Sequence, residues 1–148
     1  MIRLGEKQSL TVVKQVEFGV YLAEREGDET RVLLPARQVP EGTQMGDRIE
    51  VFVYKDSKDR MITTTREPKL KMGEVKALTV ISVQGIGAFL DWGLEKDLFL
   101  PYKEQIGKVR EQDEILVRLY TDKSRRLCAS MKEIYEILDT DSPYQAGD

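Results

Sequence analysis

Phe18 and Tyr21 stand three residues apart around a glycine, in the run Phe18-Gly19-Val20-Tyr21-Leu22. Flat rings held together in water do one kind of chemistry well, which is to stack on other flat rings. A base stacked on an aromatic side chain contributes roughly 1–3 kcal/mol, as judged by truncation. Glycine lets the backbone bend between the rings at low steric cost, and alternation along the run predicts Val20 and Leu22 facing inward with Tyr21 outward. A second run, Ile86-Gly87-Ala88-Phe89-Leu90, keeps the later ring as Phe89 and replaces the earlier one with Ile86. Trp92, at the end of that run, either adds a stacking surface or caps a core. Basic residues expected to border these rings and hold phosphates are Lys14, Arg31, Arg37, Lys55 and Arg60, then Lys103, Arg118, Arg125 and Arg126.

Other chemistries find few residues to work with. The chain has no histidine and one cysteine, Cys128, which has no thiol or imidazole partner. Cys128 falls at the repeat position of Ile62, so a small apolar core residue is expected there. Gly85-Ile86-Gly87 is not followed by a third glycine at dinucleotide-binding spacing, and no phosphate-loop lysine motif occurs. Asp56, Asp59 and Asp122 read as solvated turn residues. We therefore expect no enzyme, no metal and no cofactor. A signal peptide and a bilayer-length apolar stretch are both missing from the sequence, so the expectation is a cytoplasmic protein with no membrane partner.

The elements that must carry the rings come in two copies. Leu4-Gly5-Glu6 through Leu22 recurs as Met72-Gly73-Glu74 through Leu90 at an offset of 68, and from Val32-Leu33-Leu34-Pro35 onward the offset is 66. The length change is confined to the loop Glu24 to Thr30, as expected of a duplicated fold unit whose loops tolerate insertion. Strands are predicted near Ser9 to Val16, Gly19 to Ala23, Arg31 to Leu34, Arg48 to Lys55 and Met61 to Thr65, with counterparts in the second copy. Along the fourth, Ile49, Val51 and Val53 face one side and Glu50, Phe52 and Tyr54 the other; Ile115, Val117 and Leu119 repeat the inner row, opposite Leu116, Arg118 and Tyr120. Five short strands with a single-turn segment after the third, at Ala36 to Val39 and Tyr102 to Ile106, suggest a small closed barrel of the OB-fold type.

The expected fold class is thus all-β, with barrels over 1–67 and 72–132. A short helix from Met131 to Leu138 and a linker from Thr140 to Ala146 would complete 133–148. Ala146-Gly147-Asp148 looks like a third start signal, which predicts a further domain and contacts with it.

The formal net charge of −3 is unevenly distributed. Residues 1–70 carry 12 basic and 12 acidic side chains, 71–132 carry 11 and 9, and 133–148 carry none and 5. Neither body is strongly basic, which excludes a broad polyanion-attracting field.

Phe18-Gly19-Val20-Tyr21-Leu22, Leu33-Leu34-Pro35, Gly46-Asp47-Arg48-Ile49-Glu50-Val51 and Arg60-Met61-Ile62 together resemble the S1 (S-one) RNA-binding domain. The second copy matches from Ile86 to Ala129. The tandem, with Val-Pro-Glu-Gly and Ala-Phe-Leu-Asp-Trp-Gly, is similar to bacterial conserved virulence factor B-like proteins, which continue into another such domain and a winged helix. The resemblance implies a regulator of gene expression that binds single-stranded RNA, with Phe18, Tyr21 and Phe89 as stacking residues. Pro35 and Pro101 occupy the place where many S1 domains put a histidine. The alternative, from near-neutral charge, is a protein-interaction or spacer module whose RNA contacts lie in C-terminal domains.

Overall fold

The computed structural model describes residues 1–134. Within them the chain is built from ten strands and two single 3-10 turns, and it divides into two units, Met1–Glu67 and Pro68–Asp148. In the first unit the strands are β1 (Lys7–Val16), β2 (Gly19–Ala23), β3 (Val32–Pro35), β4 (Arg48–Lys55) and β5 (Met61–Thr64), with the 3-10 turn Ala36–Gln38 after β3. The second unit repeats them as β6 (Val75–Gln84), β7 (Gly87–Asp91), β8 (Leu98–Pro101), β9 (Glu114–Thr121) and β10 (Leu127–Ser130), with the turn Tyr102–Glu104 after β8. Of the C-terminal helix expected from Met131 to Leu138, all beyond Ile134 lies outside the described residues, as does the expected linker.

The first unit is a closed barrel in the order β1-β2-β3-β5-β4. Its interior is the inner row of each strand: Leu10 and Val12, Val20 and Leu22, Val32 and Leu34, then Ile49, Val51 and Val53 form one buried cluster. Alternation produces this directly, because a period of two puts every second apolar side chain inside. The ring closes through one parallel pair, Leu33 with Ile62, and the Thr63 hydroxyl reinforces the seam by donating to the Leu33 carbonyl at 2.9 Å.

The second unit has the same strands in the order β10-β9-β6-β7-β8, with its seam between β8 and β10 not closed by a ladder. β8 and β10 still pack against each other, so the sheet keeps the expected barrel form. Ala129 stands where Thr63 stands and has no hydroxyl to reach across. Glu104 bridges the seam, accepting from the Ser130 hydroxyl at 2.7 Å and, through its backbone carbonyl, from the Met131 N–H at 3.0 Å, as Gln38 in the first barrel accepts from the Thr64 hydroxyl at 3.0 Å.

The outer row of β4 is not a wet row. Phe52 and Tyr54 are buried, at 0% and 8% exposure, and their rings stack with centroids 6.3 Å apart. Both are thereby withdrawn from ligand contact, whereas Leu116, at the repeat position of Glu50, is exposed.

Candidate functional site

Gly19 sets the geometry of the first candidate face. Its φ of +151° places it so close to β3 that a Cβ there would lie 2.2 Å from the Leu34 carbonyl oxygen. That close approach lets the Phe18 carbonyl accept the Ala36 N–H at 2.9 Å, which fixes the turn before β2 and turns the Phe18 ring outward. Phe18 is 57% exposed. Tyr21 is half-buried and meets Phe18 edge-on, with ring centroids 6.3 Å apart and planes at 87°. In register across the sheet lie Lys14 on β1 and Leu33 on β3, on either side of Tyr21. A bulge between Val12 and Lys14 brings Lys14 opposite Tyr21, and the lysine is exposed. The row Lys14, Tyr21, Leu33 therefore presents a cation, a ring and an apolar surface side by side, with Phe18 at its margin.

The second face is built on the same plan with different residues. Gly87, at φ +156°, approaches the Leu100 carbonyl as Gly19 approaches Leu34. Phe89 pairs in register with Ser82 on one side and Phe99 on the other. The Phe89 and Phe99 rings are tilted by 37° with centroids 5.2 Å apart, and both are half-buried. Sequence reasoning missed Phe99, although the offset of 66 maps it onto Leu33 and alternation along Leu98-Phe99-Leu100 turns it outward. Tyr102, 72% exposed on the 3-10 turn, was missed as well.

The remaining expected residues divide. Arg31 is exposed, with Nε on the Asp28 carbonyl at 3.5 Å. Arg37 and Lys103 are exposed on the two 3-10 turns, and Lys55 is half-buried at the end of β4. Arg60 and Arg126 are exposed, but each donates from Nε to an aspartate four residues earlier, Asp56 and Asp122, at 3.1 Å. Arg125, at φ +59°, stands in the same turn as Arg126.

Two expectations are corrected. Trp92 is 2% exposed, and its indole N–H donates to the Lys96 carbonyl at 2.6 Å, so the ring caps the second core and offers no stacking face. Arg118 is spent within its own unit: it donates to the Lys132 carbonyl at 2.7 Å, pairs with Glu133 at 3.0 Å and lies over the Tyr120 ring, 5.5 Å from its centroid. Burial above all raises the Tyr120 hydroxyl, which stays protonated. Burial likewise pushes the Cys128 thiol up to about 11, so it is a neutral apolar group at physiological pH. Among the described residues no cluster of three or more His, Cys, Asp or Glu side chains is arranged to hold a metal ion. No helix among them is long and apolar enough to cross a membrane.

The chain is 32% identical over 97 residues to the uncharacterized protein YitL of Bacillus subtilis (strain 168), a match covering 65% of this chain and 32% of that protein. It superimposes, with a TM-score of 0.74 at 18% identity, on a multidomain protein with nucleic acid binding domains from Streptococcus pneumoniae TIGR4, covering 90% of this chain and 47% of that one. The chain thus spans a third to a half of the relatives it matches. The S1 domain model matches twice, at residues 4–66 and 72–132, and the two glycine-pinned barrels are those matches: the chain belongs to the S1 domain family.

Proposed function

We propose that the two barrels bind single-stranded RNA through their outward-facing rings, as part of a regulator of gene expression. Membership of the S1 family supports nucleic-acid binding, and the observation that carries the reading further is the ring pair at Phe18 and Tyr21 beside Lys14. Unpaired bases are splayed and can lie on aromatic faces, which duplex bases cannot do. Stacking accepts any base, so this face binds with little sequence choice, and Lys14 with the exposed arginines holds phosphates. The chain acts by binding rather than by catalysis, in the cytoplasm. Its likeness to conserved virulence factor B-like proteins supports the regulatory role.

Fluorescence anisotropy of a labelled single-stranded RNA tests this. Phe18→Ala, Tyr21→Ala and Phe89→Ala are each expected to weaken binding by about 5-fold or more. Unchanged affinity in folded variants would reject the stacking assignment.

A second reading has one observation in its favour. The second unit exposes Ile86, Ile106, Leu116 and Val83, and the corresponding residues of the first unit are Phe18, Pro40, Glu50 and Gln15. Exposed aliphatic side chains at these positions suit a protein partner better than a nucleobase. Under this reading the alanine variants leave RNA affinity as it is.

A further inference from the structure

The two barrels differ at a pair of positions that touch through one hydrogen bond. In the first, the Ala36 N–H donates to the Phe18 carbonyl at 2.9 Å; in the second, the Tyr102 N–H donates to the Ile86 carbonyl at 3.1 Å. The first barrel has an exposed ring on the acceptor residue and a methyl on the donor. The second has the reverse, an aliphatic side chain on the acceptor and an exposed ring on the donor. Each barrel therefore keeps one open ring at this junction, Phe18 at 57% and Tyr102 at 72% exposure. Loss of the aromatic at Ile86 accordingly does not leave the second junction bare.

Tyr102 is also held in place. Its N–H is tied to Ile86 and its carbonyl accepts the Gln105 N–H at 3.1 Å, closing the 3-10 turn. Pro101 precedes it with φ −58°, which restricts the entry to the turn. The backbone is pinned on both sides while the side chain stays open to water, so a stacked base would cost little further ordering. Beside the ring runs a groove lined by Val83, Gln84, Gly85, Gln105 and Lys108. Its two amides can donate to and accept from a base edge, and its lysine can meet a phosphate.

We propose that Tyr102 is a nucleobase-stacking residue, holding in the second barrel the place that Phe18 holds in the first. The inference rests on the single-stranded RNA reading and adds a contact residue to it. Its chemistry is that of an unpaired base laid on the phenol ring.

The test uses the full chain and labelled oligouridylate and oligoadenylate, each about a dozen nucleotides long. Tyr102→Ala and Tyr102→Leu are expected to weaken binding by about 5-fold or more, and Tyr102→Phe to leave it unchanged, because only the π face matters. Ile86→Phe introduced into Tyr102→Ala is expected to recover most of the loss, by restoring the arrangement of the first barrel. Circular dichroism checks that each variant is folded. If Phe18→Ala and Tyr21→Ala weaken binding while Tyr102→Ala does not, this inference fails and the RNA reading stands. If Tyr102→Leu binds as wild type, the contact is apolar bulk and the stacking role is overturned. If no ring variant matters, Phe18, Tyr21 and Phe89 included, the RNA reading fails and takes this inference with it.

Discussion

Asp56 holds the β4–β5 turn together by accepting the N–H groups of Lys58 and Arg60 at 2.9 and 3.0 Å on one oxygen and the Arg60 Nε at 3.1 Å on the other. Asp122 does the same with Ser124 and Arg126. Arg60, expected as a phosphate contact, recurs as Arg126, and that recurrence has a reason in the turn itself. Partial burial pushes the Asp56 carboxyl up, but the two N–H donors and the guanidinium outweigh it and hold the acid below its ordinary range. A carboxyl lowered on folding stabilises the fold above its unfolded pKa, near 3.9, and that contribution is lost as pH falls through the folded value. Asp56→Ala is therefore expected to cost about 1–2 kcal/mol at neutral pH. The gap from wild type should narrow as pH falls through the carboxylate range and the lowered Asp56 carboxyl takes up its proton, as read from urea midpoints at neutral and acid pH. Chemistry at this scale was legible only where neighbours in sequence decide it. Alternation along β2 gave Tyr21 its outward side, but the exposure of Phe18, the burial of Trp92 and the capture of Arg118 by Lys132 and Glu133 depend on groups that folding brings together.

Strands were more legible than contacts, because a period of two survives in the sequence whatever surrounds it. β2 and β4 fall where alternation and bounding turn residues put them, and β3 and β5 differ by a residue at their ends. Less legible was the seam of the second barrel, where Ala129 in place of Thr63 removes one hydroxyl. The outward but buried Phe52 and Tyr54 were equally hidden, since alternation assigns a face and not what covers it. The repeat also exposes a strained position. Gly46 and Gln112 occupy the same place before β4 and β9, at φ +88° and +73°, and each N–H donates back to the preceding long strand, to Val12 and Val80 at 2.9 Å. A glutamine pays for that backbone with Cβ crowding of about 1–2 kcal/mol, partly offset by the greater freedom a glycine would have when unfolded. Gln112→Gly is accordingly expected to raise stability by about 0.5–1 kcal/mol. At Gly19 the reverse holds, and Gly19→Ala is expected to cost about 2 kcal/mol or more, because its Cβ would meet the Leu34 carbonyl. Both are read from urea unfolding, and equal effects at the two sites would contradict the argument.

For the whole molecule the deciding quantity is how much of the binding comes from charge. The chain carries a net −3, and its two bodies are close to neutral. Several of its cations are already engaged: Arg60 and Arg126 by their turns, Arg118 by Glu133, Lys7 by Glu50 and Glu67 at 3.1 and 2.6 Å, and Lys69 by Asp91 at 3.1 Å. Lys14, set against Tyr21, and Lys103, beside Tyr102, remain exposed near rings. For single strands the logarithm of affinity falls with the logarithm of salt at about −0.7 per phosphate neutralised. With roughly two to four phosphates met, the slope should lie between about −1.5 and −3, shallow for a protein that binds nucleic acid. The rings supply what the charges do not, so affinity lost to Phe18→Ala or Tyr21→Ala should be the same at about 50 and about 200 mM salt. Lys14→Ala should instead reduce the slope by about 0.7 while weakening all sequences alike. A wild-type slope steeper than about −5 would mean that the polyphosphate backbone, rather than the stacked bases, is what the barrels hold.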